Sequence, residues 1–140
     1  MNIVVDHGQG RFTVTIVRME GDLDASNYEE LIARCSELHA SGARDALLDL
    51  RAVPYMGSSG LVALHAIALL FDGGEVPDLE SGWATHHAIA ESLESGRAQE
   101  HTKVLASADP ADSVRRVMSR TGMDRFIPVE TDEAAAIASF

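Results

Sequence analysis

Between Phe12 and Phe71 the spacing of apolar residues switches from a period of two to a helical period and back, and this alternation most limits the fold. Phe12, Val14 and Ile16 alternate with Thr13 and Thr15, which predicts a half-buried strand over Phe12–Glu20. Gly21 ends it. Tyr28, Leu31, Ile32, Cys35 and Leu38 then fall on one face of a helix, with Glu29, Glu30, Arg34 and Glu37 on the wet side. Ser26 and Glu29 have the spacing of a capping box, and Gly42 suits the helix end, where a positive φ is cheap for glycine. Asp45–Leu50 predicts the next strand, with Ala46, Leu48 and Leu50 on one face. Pro54 forces extended backbone just before it. Leu61 to Phe71 is apolar throughout apart from His65, the pattern of a helix buried over most of its circumference.

The flanks continue the pattern. Ile3–Val5 predicts a short first strand and Lys103–Ala106 a later one. Asp109-Pro110 predicts a helix start, a capping carboxylate followed by proline in the first turn. Val114, Val117 and Met118 give that helix its apolar face, and Gly122 ends it. Phe126–Val129 predicts a last strand, and Thr131 and Asp132 the start of a terminal helix running through Ile137. Between the halves, Gly73, Gly74, Pro77 and Gly82 predict a loop over Asp72–Gly82, followed by a helix over Trp83–Ser95. Strands alternating with helices imply an α/β chain whose sheet contains parallel pairs joined by crossover helices. The length, 140 residues, suits one domain over 1–140 with an insert at about 72–102.

Composition narrows the partners. A formal net charge of −11 argues against nucleic acid and anionic membranes, because phosphate binding needs clustered cations. It favours a basic protein partner. Cys35 is the single cysteine, so no internal disulfide forms, which fits a reducing compartment. The start Met1-Asn2-Ile3-Val4-Val5-Asp6 is unlike a signal peptide. The Leu61–Phe71 run is shorter than the ~18–20 residues a bilayer span needs. The expected location is the cytoplasm, with no membrane insertion.

The turn Tyr55-Met56-Gly57-Ser58-Ser59-Gly60 carries the most functional information. It joins a strand end to the buried helix, and in open α/β sheets function gathers at the carboxyl ends of strands. Free amides and the helix dipole at such a point favour an anion. Ser58 and Ser59 therefore have two readings: helix caps, or a phosphate acceptor whose product the helix end tolerates.

Taken with its surroundings, the turn resembles the STAS domain family, specifically the bacterial anti-sigma-factor antagonists. The resemblance covers roughly Phe12–Phe71 and Thr102–Ile137. It is most specific over Leu47-Leu48-Asp49-Leu50 and Met56-Gly57-Ser58-Ser59-Gly60-Leu61. The family has an aliphatic strand ending in Asp-Leu and then Asp-Ser-Ser-Gly-Leu, so Gly57 stands here in place of the usual Asp. Gly21-Asp22-Leu23-Asp24 is similar to the family's Gly-Glu-Leu-Asp, and Ile127-Pro128-Val129 with Thr131-Asp132-Glu133-Ala134-Ala135 to its closing strand and helix. The resemblance implies a mixed four- to five-stranded sheet covered by about four helices. It implies an anti-sigma factor, often itself a serine-protein kinase, as partner, with Ser58 as the phosphorylation site. Asp24, Met56, Gly57, Ser58, Ser59, Gly60 and Leu61 would frame the contact surface. The insert at about 72–102 is longer than the family's connection; it would cap the sheet edge, form a homodimer contact or select a partner.

Other chemistry finds less support in the sequence. A nucleophile elbow needs Gly-x-Ser-x-Gly, and Gly57-Ser58-Ser59-Gly60 lacks that spacing. A small serine hydrolase is kept as the alternative from the enzyme class, and a non-phosphorylated STAS scaffold or transporter accessory subunit as the alternative within the family. His87 and Glu91 share a helix face, but two ligands make no metal site, so neither metal nor cofactor is expected. Cys35 on a core face reads as packing. Asp22 and Asp24 read as capping and turn residues, and the resemblance puts their loop beside Ser58.

Overall fold

A computed structural model describes residues 2–73 and 99–140. The helix expected over Trp83–Ser95, with His86, His87 and Glu91, lies outside the described residues, as does most of the expected loop before it. The elements run β1 (Asn2–Gln9), β2 (Thr13–Glu20), α1 (Tyr28–Ala40), β3 (Asp45–Ala52), α2 (Ser58–Phe71), β4 (Thr102–Leu105), α3 (Ser113–Thr121), α4 (Met123–Phe126), β5 (Val129–Glu130) and α5 (Glu133–Ala138). The five strands form one mixed sheet in the order β1-β2-β3-β4-β5. β1 and β2 are an antiparallel hairpin; β2, β3, β4 and β5 run parallel. This is the α/β architecture expected from the sequence.

Side chains alternate across the sheet, and each face has its own core. Val17, Met19, Ala46, Leu48 and Leu50 point to the larger core, which Leu31, Ile32 and Cys35 of α1 and Leu64 and Ile67 of α2 complete. Val14, Ile16, Leu47 and Leu105 point the other way and are covered by Ala136, with half-buried Ile137 and Phe140 beside it. α2 is buried around most of its surface, including His65. Full burial of each such Leu or Ile contributes roughly 1.5–3 kcal/mol, so the larger core carries most of the stability.

The boundaries differ from the sequence reading at five places, each with a physical cause. β1 extends well past Val5, because hairpin pairing with β2 satisfies the backbone of Asp6–Gln9 whatever its side chains. Ser26 makes no capping box; α1 begins after Asn27, which has no side-chain cap bond. Asn27 instead staples the preceding loop, its Oδ1 accepting from the Asp24 amide (3.0 Å) and its Nδ2 donating to the Asp22 carbonyl (2.7 Å). Asp109 builds a turn, accepting from Ala111 N–H, while Asp112 is the true cap of α3, accepting from Arg115 N–H at 3.1 Å. Phe126 ends the helical turn α4 rather than opening a strand. The last strand shrinks to Val129–Glu130 behind Pro128, which has no N–H to donate. α5 is capped by Asp132, as expected, through Ala135 N–H at 2.8 Å. Gly42 and Gly122 adopt positive φ at helix ends, also as expected.

Candidate functional site

Two loops at the carboxyl ends of the parallel strands are joined through their backbones. After β2, Gly21 N–H donates to the Ala52 carbonyl (3.1 Å) and Leu23 N–H to the Tyr55 carbonyl (2.9 Å). Gly57 N–H donates back to the Leu23 carbonyl at 2.9 Å, making a parallel bridge between Leu23 and Met56. The Asp22–Asp24 loop therefore sits beside the Ser58 turn.

Ser58 is the first residue of α2 and is exposed. Neither its hydroxyl nor that of Ser59 makes a hydrogen bond among the described residues, and the N-cap position belongs to Gly57. The cap reading of the serines is thus set aside: Ser58 is one position too late. Its hydroxyl faces solvent at the positive end of the helix, and the first turn carries no acid. Asp24 is half-buried, and its carboxylate accepts from the Ser26 hydroxyl and, at 2.9 Å, from the Ser26 amide. Those bonds hold its pKa below the ordinary carboxylate value.

The other residues divide by depth. Met56 and Gly60 are buried, so they shape the turn from beneath; Gly57, Ser59 and Leu61 are half-buried at its surface. Gly60 is glycine for space: a Cβ there would collide with the Met56 side chain and come within 3.2 Å of the Leu23 side chain. Gly57 has no such constraint. Its φ of −85° is ordinary, and the atoms nearest to an added Cβ would be the Tyr55 hydroxyl at 3.4 Å and the edge of its ring at 3.6 Å, ordinary contacts. Gly57→Asp should therefore fit and supply the missing capping carboxylate. We expect it to stabilise α2 by about 0.5 kcal/mol, read as a rise of roughly 1–3 °C in Tm; a fall in Tm would contradict this geometry.

Sequence reasoning missed two features. Tyr55 is 53% exposed beside Gly57, an aromatic on the rim of the turn. Its signal was a large aromatic between Pro54 and Met56 where a polar turn residue is usual. The second is an ion network behind the turn, on the α5 face of the sheet. Asp49 receives Arg18 Nη1 at 2.8 Å and Arg51 through Nε and Nη2, both at 3.0 Å. Glu133 of α5 accepts from Arg18 (2.5 Å) and Arg51 (3.1 Å). Burial alone would raise the Asp49 carboxyl, but the Arg51 and Arg18 bonds outweigh it and hold it below the usual range. The Arg18 bond lowers Glu133 likewise. Asp49 thus anchors the strand end that leads into the turn.

Elsewhere, burial pushes the Cys35 thiol up to about 12, which agrees with a packing role. No group of three or more metal-ligating side chains occurs among the described residues. No described helix is long and apolar enough to cross a membrane.

Comparison with solved structures places this geometry. The chain is similar to the crystal structure of an anti-sigma factor antagonist from Mycobacterium paratuberculosis, with a TM-score of 0.65 at 21% identity, over 99% of this chain and 92% of that one. It is also similar to the phosphorylated form of the Bacillus cell fate determinant SpoIIAA, with a TM-score of 0.51 at 15% identity, over 96% of each chain. At such identities the likeness is one of fold. No curated protein matches the chain. A family model described as the STAS domain matches residues 5–76, which include β2, β3, both bridged loops and α2, and the chain belongs to the STAS domain family.

Proposed function

We propose that this chain is a non-enzymatic, cytoplasmic regulatory module of the anti-sigma-factor antagonist kind. It binds an anti-sigma factor, itself a serine-protein kinase, through the platform made by Asp24, Ser58 and their neighbours, and phosphorylation of Ser58 releases it. The observation that carries the reading is the exposed Ser58 hydroxyl, unbonded among the described residues, on the first turn of α2 beside the Asp24 loop. A phosphate there adds about −1.5 to −2 charges. The helix end tolerates them in the free protein. Pressed against a partner they lose hydration, costing several kcal/mol unless paired.

The test is titration against the cognate anti-sigma factor. Ser58→Asp, a weaker mimic than phosphate, should lower affinity at least tenfold (about 1.4 kcal/mol), while Ser58→Ala binds like the unmodified protein. Equal affinities for all three would remove Ser58 from the switch. Gly57, which lacks the family's carboxylate, favours a second reading as a scaffold or accessory subunit that is not phosphorylated. Intact-mass measurement on protein from its own cells separates the two: phosphate on Ser58 supports the switch, and an unmodified chain under every growth condition supports the scaffold.

A further inference from the structure

Away from the Ser58 platform in sheet order, one groove gathers cations. A groove of about 510 Å³ runs between α3 and the edge strand β5, two places from β3 in the sheet. Its rim carries Arg115, Arg116 and Arg120, three of the chain's 11 cations, in a chain whose net charge is −11. Arg115 is held by its bond to the Ala108 carbonyl at 2.7 Å. Arg116 and Arg120 are exposed and make no ion pair among the described residues. Asp124 is the one acid of the lining. The wall opposite is Val129 and Thr131, and β5 has no strand partner on its outer side among the described residues. An edge of this kind offers backbone donors and acceptors to an extended chain.

We propose that this groove binds an extended, acidic peptide segment of another protein, at a site separate from the Ser58 platform. The ligand would lie along the β5 edge, place carboxylates against Arg116 and Arg120, and rest an apolar side chain on Pro110 and Val129. Arginine forks suit carboxylates geometrically. The surrounding negative field selects against long polyanions, which gain at three arginines and lose elsewhere, so spaced carboxylates fit better than a nucleic acid or an anionic bilayer.

The test uses the whole protein and a fluorescein-labelled dodecapeptide of alternating Glu and Val, read by fluorescence anisotropy. Binding should weaken at least tenfold in the double variant Arg116→Gln/Arg120→Gln. The double variant Arg34→Gln/Arg44→Gln removes an equal charge at exposed positions outside the groove and should change binding less than twofold; so should Ser58→Asp, which keeps this site independent of the function proposed above. Backbone amide shifts on peptide addition should concentrate at Val129–Thr131 and Arg115–Arg120. The proposal is overturned if the peptide fails to bind, if the double variant binds equally, or if a peptide with Gln for every Glu binds as well. It is also overturned by shifts centred on Tyr55–Leu61, or by tighter binding of oligo-dT or of phosphatidylglycerol vesicles.

Discussion

Lowering the pH from 7 toward 4 should remove about 3 kcal/mol of folding stability through His65 alone. His65 is fully buried in α2, its ring 5.3 Å from that of Phe126. Burial disfavours the imidazolium and lowers its pKa from 6.5 to about 4. In the unfolded chain the same ring takes up a proton near pH 6.5. Between the two values the unfolded state therefore holds more protons than the native state, and stability falls as pH falls. Each unit of difference is worth about 1.36 kcal/mol, which sets the size of the loss. Urea unfolding at pH 7, 5.5 and 4.5 would show it as a steady decline that starts below about pH 6.5. His65→Leu should flatten that decline, because leucine of similar bulk takes up no proton. A wild-type curve level across this window would contradict the burial of a neutral imidazole.

Removing the Asp49 carboxylate should cost about 2–3 kcal/mol, or roughly 5–10 °C in Tm. Its side chain is 9% exposed and serves Arg18 and Arg51 together. Breaking a fully buried pair by deleting one partner costs about 3–5 kcal/mol. The lower figure is expected here because Arg18 keeps Glu133 and the Arg51 side chain is 42% exposed, where water screens it. Asp49→Ala would be measured by thermal and urea unfolding, alone and with Arg51→Ala. The double variant should lose less than the sum of the singles, since both act on one network. The pH signature is separate from that of His65. A depressed carboxyl stabilises above its unfolded pKa, near 4, and that contribution disappears as pH falls through the still lower folded value. Acid unfolding should thus show two stages, the first removed by His65→Leu and the second reduced by Asp49→Ala, with Glu133 and Asp24 keeping part of it. A single variant that abolished both would contradict this separation.

The long-period information was legible in the sequence. The alternation in β2 and β3, the all-round apolar character of α2 and the stripe of α1 each reflect burial, which the fold reads directly from residue type. The pairing of the Asp24 loop with the Ser58 turn was also legible, through the family resemblance, because both stretches belong to its motif. The missed details lie where neighbouring polar residues offer competing local bonds. Ser26 and Asn27 both suit a helix start, and Asp24 captures Ser26 while Asn27 staples Asp22. Asp109 and Asp112 compete in the same way, and α3 starts at the one that brings Val114 and Met118 into the core. Phe126 was misassigned because an aromatic beside Ile127 looks the same in a short strand as in a buried helical turn. The Asp49 network joins residues far apart in the chain, so no local pattern announces it.

The bridge between the Leu23 and Tyr55–Gly57 backbones has a consequence for how such a protein changes over generations. Its hydrogen bonds use main-chain atoms alone, so side chains at exposed positions such as Asp22, Tyr55 and Ser58 do not hold it together. Mutations there would change the exposed surface of the platform while leaving the mounting of both loops intact. Buried Leu23, Met56 and Gly60 have no such freedom, because they fill the space beneath. A lineage carrying this bridge can change the exposed residues of both loops by single substitutions, with little need for compensating changes in the core.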